Sequence, residues 1–296
     1  VSFESNLKAL VAFADLRTPA RIAKGLADGG VAALRQGWGN LDAETRSGLE
    51  AQAADLDQRG VSAVLFGDDG YPASLIAKGR PVAPVLFTQG DTSLLHASGA
   101  GMCGSRKVSP LGLKAAFACG DEVSRRGLAV ISGYAKGVDT ETHLAALNNG
   151  GRTVIVLAEG INHFSVKRAF KEAFDPERVL VVSQFHPQQP WGAYAAMARN
   201  HIIFGLGKAL VVIEAGEKGG TLAAGKDALK RGRPVFVLNF GDDTPPGNAV
   251  LLEMGGRPVT SRTELGVALD ELGDVSDHVE PAPPEQASLD FEAGRN

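Results

Sequence analysis

From residue 99 to about residue 272 the chain repeats one unit: a short, unbroken apolar run, then polar or glycine residues, then a stretch of helical periodicity. The runs are 101–103, 128–131, 153–157, 179–182, 209–213 and 235–238, with helical segments such as 223–231 between them. A strand that is apolar on both faces needs cover on both faces. A mostly parallel sheet with helices on either side provides it, so the fold class expected is α/β. Each run is closed by residues that end it, namely Gly104-Ser105-Arg106, Ser132-Gly133, Glu159-Gly160, Ser183-Gln184, Glu214-Ala215 and Asn239. Open parallel sheets bind ligands in the crevice outside the carboxyl ends of their strands, so these clusters are expected to line one rim.

The most informative part of that rim is Val130-Ile131-Ser132-Gly133-Tyr134-Ala135-Lys136-Gly137-Val138-Asp139, with His143 one helical turn on. It reads as strand, glycine-rich turn and helix start in succession. Such a turn aims backbone N–H groups outward, with the positive end of a helix dipole behind them. Lys136 adds a full charge, so the stretch reads as an anion site, most simply for phosphate; a glycine turn used only for packing is the alternative. Arg106 brings a second cation to the same edge, either for an anion or for an ion pair with Glu214 or Asp139. Asp139 reads as a helix N-cap and His143 as a packed, hydrogen-bonded histidine. Tyr134 and Phe204 fit the core as well as they fit a stacking role.

Upstream, residues 1–60 read as a small helical domain. Leu7, Leu10, Val11, Phe13 and Ala14 recur at helical spacing, Pro19 opens a second helix that Gly29-Gly30 is expected to end, and a third stops at Gly60. Residues 61–98 hold two short extended runs, 61–66 and 83–87, and read as a connector packing on the core domain 99–272. Ser109-Pro110 marks a helix start, an N-cap followed by proline. Residues 273–296 form a proline-rich acidic tail, expected to be extended.

Charge qualifies what the site can bind. The chain carries a net −4 over 296 residues, yet eight acidic residues and one basic lie from Asp270 onward, leaving 29 basic against 26 acidic before it. A mildly basic body neither requires nor excludes nucleic acid, so any such site must be a local patch. No apolar run is long enough to span a bilayer, and the N-terminus lacks a signal-peptide layout. Cys103 and Cys119 are too few for a disulfide framework and read as buried, reduced thiols. Together these features suggest a cytoplasmic protein with no membrane partner.

With these residues laid out, the chain resembles the DNA-processing protein A family (DprA, also called Smf). The matching residues are Gly104-Ser105-Arg106, Ser132 to Asp139 with His143, Ala198-Arg199-Asn200-His201-Ile202-Ile203, Gly219-Gly220-Thr221 and Pro246-Gly247-Asn248. Gly70-Tyr71-Pro72 and Pro84 to Gly90 resemble the segment entering the family core. The resemblance implies an extended Rossmann-like fold that binds single-stranded DNA, loads the RecA recombinase and forms a homodimer. It implies no catalytic residues and no cofactor or metal. On matching positions, Gly104, Ser105, Arg106 and Lys136 would meet DNA phosphates, with Ser132, Gly133 and Gly137 supplying backbone donors. Arg199, Asn200, Gly220 and Thr221 would complete the pocket. Lys107, Lys114, Lys167, Arg168, Lys171 and Lys218 are candidates for a cationic track beyond it, or for solvated helix faces.

The chain departs from the family pattern at 161–165, at Ser183-Gln184-Phe185, at Met197-Ala198 and at Lys218-Gly219-Gly220, and a member without the C-terminal winged helix of many relatives is expected. In the tail, Gln286, Leu289 and Phe291 resemble a hexapeptide that docks on the replicative sliding clamp. Two other readings suit the same scaffold: a nucleotide-binding sensor, and a phosphoribohydrolase-like enzyme. The latter needs a glutamate where this chain has Ala224, with Glu214 or Glu159 as substitutes.

Overall fold

The computed structural model describes residues 3–273, so Gln286, Leu289 and Phe291 lie outside the described residues. Three helices come first: α1 (Ser5–Asp15), α2 (Pro19–Asn40) and α3 (Ala43–Gln58). Thr18 caps α2 ahead of Pro19, and Asp42 caps α3 by accepting from the Thr45 N–H at 2.8 Å. Gly29-Gly30 does not end the second helix. Gly30, at φ +53°, kinks it, and the chain runs on to Asn40 because Leu34 and Gly37 beyond the kink are buried. A Cβ at Gly37 would lie 2.4 Å from the Asp15 carboxylate, which would have to swing away to admit one.

The rest follows as β1 (Val61–Leu65), β2 (Ile76–Ala77), β3 (Arg80–Pro81), β4 (Val85–Gly90), β5 (Gly99–Cys103) and α4 (Pro110–Arg125). Next come β6 (Ala129–Ser132), α5 (Val138–Asn148), β7 (Thr153–Val156), β8 (Val179–Ser183), α6 (Ala193–Ala198) and α7 (Asn200–Leu206). The last are β9 (Leu210–Val212), α8 (Gly220–Lys230), β10 (Val235–Leu238), α9 (Pro246–Glu253), β11 (Arg257–Val259) and α10 (Arg262–Asp270).

Among the described residues, nine strands form one sheet in the order β1-β4-β8-β7-β6-β5-β9-β10-β11. The strands from β8 to β11 run parallel, while β4 is antiparallel to β8 and β1 to β4. The expected α/β class with a mostly parallel sheet and preceding helices is therefore what the chain adopts. Residues 61–98 contribute β1 and β4 to the sheet itself. The sequence pattern did not anticipate β11, an exposed edge strand whose Pro258 suits an edge position.

Successive residues on each central strand face opposite layers. Ile131, Val154 and Val212 pack under α7, α8 and α9, while Val130, Val211 and Ile213 pack under α4, α5 and α10. The three N-terminal helices cover the antiparallel end, over Val85, Phe87 and Val181. Asn6 pins them, donating to Asp57 and to the Val61 carbonyl at 2.7 Å each. From β5 the strand order proceeds through β6, β7 and β8 on one side and through β9, β10 and β11 on the other. The carboxyl end of β5 is therefore the topological switch point, where connecting loops diverge and leave a crevice. Among the described residues, no helix is long and apolar enough to cross a membrane.

Candidate functional site

The crevice at the switch point holds two adjoining cavities. The larger, of about 480 Å³, lies over the ends of β5, β6 and β7, and its lining includes Arg106, Lys107, Lys136, Lys167, Glu159 and Trp191. The second, of about 300 Å³, opens between the loops after β5 and β9. Gly104, Ser105, Asn200, Lys218, Gly220 and Thr221 line it, and Arg106 and Arg199 border both. Arg106 and Lys136, thirty positions apart, thus face one space. Both are exposed, and among the described residues neither forms an ion pair.

Local packing explains why these loops meet. Gly137, at φ +82°, lies against the loop after β5, where a Cβ would come within 2.4 Å of the Ser105 carbonyl oxygen. The Val138 N–H donates to that same oxygen at 3.2 Å. A left-handed residue with no side chain is what this approach requires. Gly137 is also the N-cap residue of α5, so the expected capping role of Asp139 is corrected. Asp139 instead accepts from the Ala135 N–H at 3.2 Å and holds the turn from inside.

Arg199 is the strut under both cavities. It is nearly buried, donates to the Val156 carbonyl at 3.1 Å and reaches Asp139 at 3.4 Å, while its Nε has no partner among the described residues. Gly133 makes room for it, because a Cβ there would overlap the guanidinium. The other rim carboxylate considered for Arg106, Glu214, is occupied too. It accepts from the Ser109 N–H at 3.1 Å and from the Ser109 hydroxyl at 2.6 Å, while Ser109 caps α4 through the Gly112 N–H. With Asp139 and Glu214 both committed, Arg106 has no carboxylate partner across the rim among the described residues.

Several residues named from sequence turn inward. The Ser132 hydroxyl is buried and donates to the Met102 carbonyl at 2.8 Å, so it is a core bond between β6 and β5. The Gly133 carbonyl accepts from His143 Nε2 at 2.6 Å, and His143 Nδ1 meets the Thr153 hydroxyl at 2.6 Å. Burial lowers the His143 pKa to about 4, which keeps it a neutral packing residue. Ser132, Gly133 and Gly137 line neither cavity. Phe204 is core. Tyr134 borders the larger cavity but rests on Phe170 at 5.2 Å between centroids, with its hydroxyl donating to the Ser165 carbonyl. Ser183 and Asn239 act as strand terminators, bonding the Glu159 carbonyl and the Gly241 N–H respectively.

The electrostatics favour an anion. Lys167 lies 3.8 Å from the Tyr134 ring centroid; burial lowers its pKa, Glu159 and Asp139 oppose that, and Arg106 and Arg199 reinforce it. Of the track candidates, Lys107 and Lys167 reach the larger cavity and Lys218 the smaller, whereas Lys114, Arg168 and Lys171 line neither. At the smaller cavity α8 begins at Gly220 with no side-chain cap, so its first-turn N–H groups open on the crevice. The buried amide of Asn248 accepts from the Ala215 N–H at 2.8 Å and donates to the Ile213 and Leu238 carbonyls. It thereby fixes the loop that shapes this side.

Sequence reasoning missed Trp191, which lines the larger cavity with its ring 5.6 Å from the Arg106 guanidinium carbon. A tryptophan between Pro190 and Gly192, where no helix or strand can bury it, was the available signal.

An open, mostly parallel sheet with a cationic, ring-lined crevice at its switch point defines a Rossmann-like fold. The chain belongs to the family of DNA recombination-mediator protein A, whose sequence model matches residues 62–269. It is 30% identical to protein Smf of Escherichia coli over 74% of this chain and 60% of that one. It is 32% identical to the DNA processing protein DprA of Streptococcus pneumoniae, over 67% of this chain and 71% of the relative. The X-ray structure of the S. pneumoniae protein superposes with a TM-score of 0.65 at 28% identity, covering 89% of this chain and 92% of that one. The Helicobacter pylori protein, described in terms of its single-stranded DNA binding mode, matches in fold with a TM-score of 0.60 at 21% identity.

Proposed function

We propose that this chain binds single-stranded DNA in the crevice between β5, β6 and β9, in a DNA-processing role in recombination, uptake or repair. The observation that carries this reading is the convergence of Arg106 and Lys136 on one cavity of about 480 Å³. Arginine offers a planar fork to phosphate oxygens and lysine a mobile point charge. Lys107, Lys167 and Lys218 extend the positive charge past a single phosphate, as a strand needs and a mononucleotide does not. The family relationship and the single-stranded DNA binding described for the H. pylori protein support the same ligand.

In this reading Arg199 shapes the site and does not carry a free charge into it. The protein acts by binding and handing over strands, as a homodimer, with RecA as the recipient. Clamp docking through Gln286, Leu289 and Phe291 is a separate proposal, tested by binding of a peptide spanning 283–293 to purified sliding clamp.

The central test is the double variant Arg106→Ala/Lys136→Ala. It should lose oligonucleotide binding at moderate salt while keeping the melting temperature of the parent. Unchanged affinity would remove the site. Retention of a mononucleotide as tightly as an oligonucleotide, with little salt dependence, would favour a nucleotide sensor instead.

A further inference from the structure

Helix α6 is built inside out. Within Ala193-Tyr194-Ala195-Ala196-Met197-Ala198 the fully buried side chain is Ala195, while Tyr194 is 67% and Met197 40% exposed. Trp191, just before the helix, is 51% exposed. An amphipathic helix normally turns its large apolar side chains inward. None of these three joins or packs against the apolar clusters on either side of the sheet. Folding therefore gains little from them, and an unburied tryptophan ring beside a cavity marks a contact surface.

The row spans the crevice. Trp191 lines the larger cavity, facing Arg106, and Met197 lines the smaller, its sulfur 3.7 Å from where a Cβ on Gly220 would sit. Cations run alongside, Arg106, Lys136 and Lys167 at the first cavity and Lys218 at the second. Ring and thioether surface on one side with point charges on the other matches a ligand with flat apolar faces strung on a phosphate backbone. A single strand of nucleic acid has that chemistry. A duplex hides the faces of its bases in its own stack.

We propose that Trp191 is a base-stacking platform: one base of a bound strand lies on its indole while Arg106 and Lys136 hold the adjoining phosphate. This rests on the single-stranded DNA reading above and adds to it the residue that selects unpaired bases.

The test uses the full chain with Trp38→Phe, which makes Trp191 the sole tryptophan. Its fluorescence should be quenched by an oligo-dT strand and unaffected by an abasic strand of equal length. Trp191→Ala should weaken oligo-dT binding roughly ten-fold, leave abasic-strand binding within about two-fold, and keep the salt dependence of the parent. Trp191→Phe should restore most of the loss. Equal weakening toward both strands, or toward neither, overturns the proposal. So does a Trp191→Ala variant with unchanged oligo-dT affinity and altered sedimentation mass, which would make the row a self-association surface. The parent binding both strands alike defeats stacking alone; the parent binding neither defeats the single-stranded DNA reading itself.

Discussion

Arg199 and Asp139, sixty positions apart, meet at 3.4 Å beneath the crevice, both almost out of contact with water. The pair joins the start of α5 to the segment linking α6 and α7, and so sets the distance between the two walls of the site. Breaking a buried pair from one side strands a charge in a medium that solvates it poorly. Arg199→Ala and Asp139→Ala should each cost about 3–5 kcal/mol of unfolding free energy. The double variant should cost less than the sum of the two. Urea denaturation of all four proteins measures this, and strictly additive losses would mean that the two groups are independent.

Gly137 occupies a left-handed conformation with the Ser105 carbonyl where a side chain would begin. Gly137→Ala combines backbone strain with a backbone contact that cannot yield without moving the Arg106 loop. A loss of about 1–3 kcal/mol is expected, together with weaker oligonucleotide binding. A melting temperature equal to that of the parent would show that the two loops are not wedged together here.

Lys136 is exposed and, among the described residues, has no ion pair. Lys136→Ala should leave stability unchanged and reduce the slope of log affinity against log salt by roughly 0.7, the share of one phosphate contact on a single strand. Titrations at several salt concentrations read this directly, and a slope identical to the parent's places Lys136 off the backbone.

His143 is held well below its unfolded pKa of 6.5, at about 4, by burial. The unfolded chain therefore takes up a proton that the folded chain refuses. Stability from this group is complete above pH 6.5 and is lost as the pH falls from 6.5 toward 4, by at most about 3 kcal/mol. Denaturation curves for the parent and for His143→Gln, taken at intervals from pH 7 to pH 4, should differ in slope across that window. Parallel curves would mean that His143 titrates normally.

Much of the fold was legible because its signals are local. The apolar runs became β5 to β10, Ser109-Pro110 became the cap of α4, and the polar residues closing each run fell on one rim. His143 was read correctly as packed. Signals depending on a neighbour distant in sequence were misread. Gly30 is a helix stop by itself and a kink once Leu34 has a core to enter. Asp139 has the chemistry of a helix cap, yet Gly137 takes that position while Ala135 and Arg199 claim the carboxylate. Trp191 carries no periodicity, and only the tertiary structure sets it beside Arg106.

By itself, the sequence determined the alternation of strand and helix, the rim, and the two cations Arg106 and Lys136, because strand burial and turn formation act over a few residues. Tertiary structure alone decided which charges stay available. Asp139 and Glu214 are satisfied by Arg199 and Ser109, far along the chain, and among the described residues Arg106 and Lys136 face the cavity without an ion pair.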